Sequence, residues 1–412
     1  MKAILQNQMF RRLWISQVAL ALGDAVMQMG LLEFFRAHGY SVKTETAKLL
    51  FWSALPGAVL GLLTMAYLDR WQRRKVLMVS DAVRMVIIVA VALWLAPRLT
   101  GRVEAGSLAF IYAMIFAIGA ITTFYYPARY ALIPNLVATE HLVSANTLFT
   151  TSLAVAGVGG RALGGFVAER IGVEWAVLSN AIAYVCSFVL VWRIVMDPHA
   201  TTTGTNAHPE GSWGELKTGL RYVWQHANAF SLVLLSAVFA FMAAVFAVAV
   251  IGYAVDTLGL RTGGVGYLIG AAGAGAALGL AAIGSGAAWT KAIWLPFAQL
   301  IVLGGFLVLL GATTNVWFAA ALFVVLGAIG ATVLIPIDSK LQEEVDDQRR
   351  GAVFAARGML TSATMLVAFW MQFGSEWFRH TPAPTVLHWL GVGSVAVAVA
   401  TLLVTRRRQA KR

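Results

Sequence analysis

Two charged residues stand inside long apolar runs of this 412-residue chain, where an ionised side chain is costly. Asp24 lies in ALALGDAVMQMGLLEFF, and Arg161 lies in AVAGVGGRALGGFVA. A carboxylate in such surroundings must be protonated, paired or hydrated. Asp24 could therefore exchange a proton, hold a cationic group, or form an ion pair with Arg161. Gln28, one helical turn after Asp24, shares its face, whereas we expect Glu33, nearer the end of the run, to be solvated.

Each of these residues also has a plainer explanation. An Asp24–Arg161 pair could be fixed and purely structural, and Arg161 could instead extend toward lipid headgroups at the outer end of its helix. The glycines around Arg161 have the small-xxx-small spacing that lets helices pack closely. These helix-packing candidates are Gly157, Gly160, Gly164 and Gly165.

A second set of charges follows the next apolar run, in AYLDRWQRRKVLMVSDAVRM. Cations in a short loop are typical of the cytoplasmic side of a membrane protein. They do not explain the carboxylates at the end of one apolar run and inside the next. We expect a cytoplasmic charge cluster that holds one conformation and opens in the other. Its members are Asp69, Arg70, Arg73, Arg74, Asp81 and Arg84.

The composition explains which solvent surrounds these residues. The chain is 59% hydrophobic and 12% charged, with a mean hydropathy of +0.75, whereas roughly a quarter of a soluble protein is charged. It is therefore expected to be an integral membrane protein in a lipid bilayer. The formal charge of +12 lies mainly in short loops, so no nucleic-acid partner is expected. One cysteine and histidines without ligand spacing predict no disulfide, metal or cofactor.

Windows of about 20 residues predict twelve membrane-spanning helices, six on each side of a polar linker. The polar stretch begins MDPHATTTGTNAHPEG, and the boundaries predicted are 1–195, a cytoplasmic linker at 196–228, and 229–412 with a basic tail. The spans are predicted at 13–35, 48–68, 77–96, 108–126, 144–167, 175–195, 229–253, 263–285, 291–311, 316–336, 352–373 and 385–405.

Lysine and arginine residues set the orientation of these spans. With the N-terminus inside, the two sides carry roughly 21 and 8 of them. Both termini and the linker are therefore predicted to be cytoplasmic. The first apolar run is too long for a cleavable signal and lacks a small-residue cleavage motif.

The loop LDRWQRRKV resembles the signature loop between helices 2 and 3 of the major facilitator superfamily, of general form G-x-x-x-D-R-x-x-R-R, with Met65 at the usual glycine. YYPARYALIPNLV, LVSANTL and RALGGFVAERIG resemble one branch of it. That branch holds macrolide and siderophore exporters of the drug–proton antiporter type, and the bacterial lysophospholipid transporters are its relatives. The resemblance implies an all-α fold of twelve transmembrane helices in two six-helix bundles, which rock about a central cavity.

The resemblance also bears on the two isolated charges. Gly23 and Asp24 match a Gly-Asp pair frequent in the branch, and GRALGG places Arg161 where the drug exporters have proline in G-P-x-x-G-G. It implies a secondary active transporter, monomeric, in a bacterial inner membrane. The expected activity is proton-coupled export of an amphipathic small molecule. The alternative is a lysophospholipid transporter that moves lysolipids between leaflets, because an acid and a base together suit a zwitterionic headgroup.

Two other classes of membrane protein are less consistent with the sequence. A lipid-modifying enzyme needs clustered His, Asp or Arg at a membrane face. The dense polar cluster of this sequence is the loop from Asp69 to Lys75, which is already explained as the signature loop of a transporter. A receptor needs a signalling domain, for which the linker and the tail are short. We therefore expect no catalytic residues, and no nucleotide-binding domain that would supply ATP as the energy source.

Overall fold

The part of the chain that the structure describes is helical. The computed structural model describes residues 5–68, 71–98, 108–138, 141–195, 212–284 and 294–409. Helices α1 to α6 are Gln8–Ala37, Val42–Leu68, Arg73–Leu95, Ala109–Leu132, Leu142–Arg170 and Val173–Trp192. Helices α7 to α11 are Ser212–Gln225, Ala227–Gly252, Thr262–Gly284, Leu295–Ala312 and Val316–Gly330. Helices α12 to α15 are Leu334–Glu344, Asp347–Gly374, Glu376–His380 and Ala383–Gln409.

Eleven stretches of the described residues are long and apolar enough to cross a membrane. The predicted span at 48–68 corresponds to α2, which begins earlier because its polar first turns, with Lys43, Glu45 and Lys48, are also helical. The all-α prediction is confirmed, with no strand among the described residues. Of the predicted linker, the structure describes the part from Ser212, and α7 occupies most of it.

The chain divides into two compact units. The first comprises Met1–Ser41, Trp52–Pro209 and Thr262–Gly270, and the second comprises Val42–Phe51, Glu210–Arg261 and Ala271–Arg412. In the first unit α1 lies between α5 and α6, and α3 packs on α4 and α6. In the second unit α8 packs on α13 and α15, α10 packs on α15, and α7 packs on α13.

Glycines let α1 approach both of its neighbours closely. A Cβ atom on Gly160 of α5 would lie 2.7 Å from the Cβ of Ala25, and one on Gly164 would lie 2.7 Å from the Cα of Val26. Both distances are below van der Waals contact, so a side chain there would push the helices apart. The two glycines lie four residues apart on one face of α5, which fixes the line along which α1 crosses it.

On its other side α1 uses its own glycines. A Cβ atom on Gly23 would lie 2.6 Å from the Cβ of Ala183, and one on Gly30 would lie 2.7 Å from that of Ala176. The two pairs are seven residues apart along both helices and run in opposite directions, as expected for two helices that pack nearly antiparallel. The close approach also brings the polar residues of α6 within reach of α1.

A pair of adjacent glycines on α5 tests this packing. Replacing Gly160 by alanine is expected to lower the free energy of unfolding by about 1–3 kcal/mol, because the new methyl group overpacks the contact with α1. The matched control is Gly159→Ala, since Gly159 is exposed and has no neighbour within 4 Å of an added Cβ atom. Thermal unfolding in detergent compares them. Equal midpoints for both variants would contradict the packing account.

Candidate functional site

Asp24 is held by α6, the helix that Gly23 allows to come close. The side-chain amide of Asn180 donates to Asp24 Oδ1 over 3.0 Å, and the hydroxyl of Tyr184 donates to the same oxygen over 3.3 Å. Asn180 and Tyr184 are buried, whereas Asp24 is half-buried. The carboxylate is therefore fixed by neutral donors while part of the residue reaches an accessible surface.

Arg161 points toward α1. Its Nη2 donates to Oε1 of Gln28 over 3.2 Å, and its Nη1 donates to the carbonyl of Gly157 over 3.1 Å. A Cβ atom on Gly157 would lie 3.4 Å from Nη1, so this glycine leaves room for the guanidinium. The hydrogen-bond partners described for Arg161 are both neutral, and Gln28 lies one turn from Asp24 on the same helix.

A fully buried ion pair lies beside this region. Arg84 Nη2 donates to Asp81 Oδ1 over 2.7 Å, and the hydroxyl of Ser187 donates to Asp81 Oδ2 over 2.6 Å. The Asp81 side chain is 0% exposed and that of Arg84 is 4% exposed. The Arg84 guanidinium lies 4.1 Å from the ring centroid of Tyr125 and 4.8 Å from that of Tyr184. Tyr184 therefore touches both Asp24 and Arg84.

The polar contacts continue from Tyr125 toward the ends of α1 and α4. The Gln17 amide donates to the Tyr125 hydroxyl over 2.5 Å, and Arg129 Nη1 donates to Oε1 of Gln17 over 3.2 Å. Arg129 also lies 4.4 Å from the ring centroid of Tyr130. Four helices, α1, α3, α4 and α6, thus share one connected set of buried polar groups, which we call the polar chain. It runs from Asp24 through Tyr184, Arg84, Tyr125 and Gln17 to Arg129.

Comparison with known proteins places this helical fold in a family. Residues 13–369 match the Major Facilitator Superfamily. The chain belongs to the major facilitator superfamily. It is 24% identical over 247 residues to the uncharacterized MFS-type transporter YkuC of Bacillus subtilis (strain 168), a match that covers 58% of this chain and 55% of YkuC. It is 21% identical over 409 residues to the uncharacterized MFS-type transporter YfiS of the same organism. That match covers 98% of this chain and 93% of YfiS.

Solved transporters share the fold of this superfamily member. The nucleoside transporter NupG has a TM-score of 0.73 at 12% identity, covering 96% of this chain and 99% of NupG. A bacterial homologue of the human lysosomal transporter Spinster has a TM-score of 0.68 at 14% identity, covering 97% and 96%. A bacterial homologue of the iron transporter ferroportin also has a TM-score of 0.68 at 14% identity, covering 97% and 98%. The twelve-helix fold class is thereby confirmed, and the drug-exporter or lysophospholipid branch stays a prediction.

The superfamily loop after α2 does not bring all of its predicted cluster together. Asp69 and Arg70 lie outside the described residues. Arg73 Nη1 donates to the carbonyl of Ala131 over 2.7 Å, and Arg74 donates to the carbonyls of Val191 and Trp192. These carbonyls end α4 and α6, where the helix dipole favours a cation.

Asp81 and Arg84 lie elsewhere than the cytoplasmic cluster would place them. They pair with each other in the interior of the first unit, among α3, α4 and α6. The reason is helix geometry, because eleven residues of α3 carry Arg84 about 16 Å beyond Arg73. Arg84 belongs to the polar chain, which links this ion pair to Asp24 through Tyr184.

Glu33 lies in surroundings that differ from expectation, whereas Gly165 packs closely on a neighbouring helix. Glu33 is buried rather than solvated: Arg36 Nε donates to its Oε2 over 2.9 Å, and the Thr262 hydroxyl donates to the same oxygen over 2.5 Å. Gly165 faces the Cα of Gly263 at the start of α9, 2.6 Å from where its own Cβ would lie. The expectation for Glu33 is wrong because the start of α9 covers this end of α1.

Three uncharged residues of α6 contact Asp24 or the buried ion pair, and sequence analysis did not select them. Asn180, Tyr184 and Ser187 lie at i, i+4 and i+7 of α6, on one helix face. That spacing of polar groups in an apolar run is a signal that could have found them. The residues that the structure describes hold no group of three or more His, Cys, Asp or Glu side chains arranged for a metal ion.

Proposed function

We propose that the chain is a secondary active transporter that exports an amphipathic small molecule across a bacterial inner membrane, coupled to protons. Alternating access, in which the site opens first to one side and then to the other, is the mechanism that membership of the superfamily supports. The substrate and the proton are assigned to the region around Asp24, Gln28 and Arg161. No catalytic step is required of any residue.

One observation carries this proposal. Asp24 and Arg161 have opposite charges, lie on neighbouring helices, and are both half-buried. Each is hydrogen-bonded to neutral groups, Asp24 by Asn180 and Tyr184 and Arg161 by Gln28. Charges at membrane depth are costly and are usually retained for a function. Here an anionic substrate group would supply the counter-charge of Arg161, and a proton would neutralise Asp24.

The contacts of Asp24 support its role as the coupling group. When the carboxylate takes up a proton, it becomes a weaker acceptor for the Tyr184 hydroxyl. Tyr184 also packs on Arg84, so the change reaches the buried ion pair and through it α3 and α4. Protonation of this one carboxylate can in this way alter the packing of four helices of the first unit.

A second candidate function follows from the same pair of charges. A lysophospholipid such as lysophosphatidylethanolamine has a zwitterionic headgroup, with a phosphate for Arg161 and an ammonium group for Asp24. In this case the chain would move lysolipids between leaflets, and Asp24 would bind substrate instead of a coupling proton. The observation that favours it is that the hydrogen-bond partners described for Asp24 and Arg161 are neutral, although Asp24 also interacts electrostatically with Arg84.

Orientation and assembly belong to the same proposal. Both termini and the linker are assigned to the cytoplasm because about 21 of the lysine and arginine residues fall on that side. The transporter is proposed to act as a monomer, with the bilayer, the substrate and protons as its partners.

The variant Asp24→Asn tests the coupling role. In proteoliposomes it is expected to keep exchange of labelled substrate at equal concentrations on both sides and to lose accumulation driven by a proton gradient. A substrate is first found among a cationic drug, a siderophore-like acid and lysophosphatidylethanolamine. The matched control is Glu376→Gln, because the Glu376 side chain is 87% exposed. Gradient-driven accumulation by Asp24→Asn at the wild-type rate would exclude Asp24 as the coupling group.

A further inference from the structure

A basic pocket of about 480 Å³ lies beside helix α7 in the second unit. Its described lining carries three cationic side chains and three neutral hydrogen-bonding side chains. They are Lys217, Arg221 and Arg349, with Thr218, Tyr222 and Gln225. This combination is suited to a phosphate group, which accepts several hydrogen bonds and carries negative charge. The transport site proposed above, in the first unit, does not include these residues.

The pocket lies next to the starts of two stretches that are long and apolar enough to cross a membrane. One membrane-spanning stretch starts at Ala227, two residues after Gln225, and another starts at Arg349 itself. Trp224 is 76% exposed, and its ring lies 5.7 Å from that of Phe230 in the first turns of α8. Exposed tryptophan is typical of the headgroup region of a bilayer. A ligand of this pocket would therefore meet both water and lipid.

Helix α7 is firmly attached to the rest of the second unit. Leu216, Tyr222 and Val223 are buried, and a Cβ atom on Gly219 would collide with the carbonyl of Ala352 on α13. The opposite face of α7 is exposed and carries the two cations of the pocket, one turn apart, with Trp224. A helix with one packed face and one basic, tryptophan-containing face has the composition of an interfacial helix.

The described acidic residues Glu344 and Asp346 lie outside the described lining of the pocket, and both interact electrostatically with Tyr222. Glu344 Oε1 accepts a hydrogen bond of 2.9 Å from Asn228, and the carbonyl of Glu344 accepts one of 3.3 Å from Tyr222. The Arg349 guanidinium lies 5.8 Å from the ring centroid of Tyr222, which places a third cation beside the two on α7. The side chains described in the lining therefore give the pocket a net positive charge.

We propose that this pocket binds the headgroup of an anionic phospholipid from the leaflet on the side of the linker. The phosphate lies between Lys217, Arg221 and Arg349, and the acyl chains run past Trp224 and Phe230. A lipid is favoured over a free phosphate ion because the pocket is at the start of two spanning stretches and next to an exposed aromatic side chain. Bound lipid would fix the linker helix to the bilayer.

The test is lipid binding by the full chain in detergent, followed by native mass spectrometry. The wild type is titrated with dioleoylphosphatidylglycerol, with dioleoylphosphatidylcholine as the uncharged comparison. We expect tighter binding of phosphatidylglycerol, and a loss of about 25-fold in the variant K217Q/R221Q, since each cation near an anionic surface contributes about fivefold. The matched control is R11Q/R193Q, which removes two exposed cations elsewhere.

A charge-preserving variant and a competition with inorganic phosphate distinguish lipid binding from loss of folding and from simple ion binding. The swap K217R/R221K keeps both charges and is expected to bind phosphatidylglycerol as the wild type does, which also shows that α7 tolerates substitution. Wild-type affinity in K217Q/R221Q, or an equal loss in R11Q/R193Q, would overturn the proposal. Displacement of phosphatidylglycerol by millimolar inorganic phosphate would also overturn it, because the pocket would then be an ion site rather than a lipid site.

Discussion

Replacing Arg84 by methionine is expected to lower the free energy of unfolding by about 3–5 kcal/mol, because Asp81 would remain buried without its cation. Asp81 is 0% exposed and accepts hydrogen bonds from Arg84 and Ser187. The substitution also removes the cation that packs on the rings of Tyr125 and Tyr184. Thermal unfolding in detergent measures the effect.

A double variant shows whether the loss comes from the unpaired charge. Asp81→Asn combined with Arg84→Met removes both charges and is expected to recover a large part of the stability lost by Arg84→Met alone. The control is Arg170→Met, because Arg170 is exposed and such changes usually cost less than about 0.5 kcal/mol. If Arg84→Met unfolds at the wild-type midpoint, the polar chain does not stabilise the first unit as described.

Replacing Arg161 by glutamine is expected to raise the KM for a substrate with an anionic group by about tenfold to a hundredfold. This range corresponds to the loss of one hydrogen bond to a charged partner, about 1.5–3 kcal/mol. Arg161→Lys, which keeps the charge without the planar fork, is expected to have an intermediate KM. Initial rates of transport in proteoliposomes give these values.

The control for Arg161 lies on the same helix. Arg170→Gln removes an exposed cation from the last turn of α5 and is expected to leave the KM unchanged. A KM unchanged in Arg161→Gln for every transported substrate would show that Arg161 serves packing rather than binding. In that case its bonds to Gln28 and Gly157 would be its whole role.

Sequence analysis could find the charges of the site but not their partners. Asp24 and Arg161 are conspicuous because an ionised residue in an apolar run is rare. The rotation of a helix about its axis determines which neutral groups meet them, and an apolar run with hydrophobic residues on every side gives little information on rotation. For that reason the spacing of Asn180 and Tyr184 could mark a polar face of α6, but their contact with Asp24 became visible only when α6 was placed against α1.

The depth of Arg84 was in principle predictable. The cations after α2 were grouped because they are close in sequence, yet a helix that begins at Arg73 carries residue 84 about three turns into the membrane. The contacts of Arg74, by contrast, could not be predicted from local spacing. Arg74 donates to carbonyls at the end of α6, more than a hundred residues along the chain. Contacts between distant parts of the chain follow from the fold and cannot be obtained from local spacing.

The central claim, transport coupled to protons at Asp24, is tested most directly by internal pH. Proteoliposomes with an imposed proton gradient receive a cationic drug, a siderophore-like acid and lysophosphatidylethanolamine in turn, with Asp24→Asn beside the wild type. Proton flux on addition of the drug or the acid, present in the wild type and absent in Asp24→Asn, is the predicted result. Lysolipid movement without any proton signal, lost in Asp24→Asn and in Arg161→Ala, would contradict it.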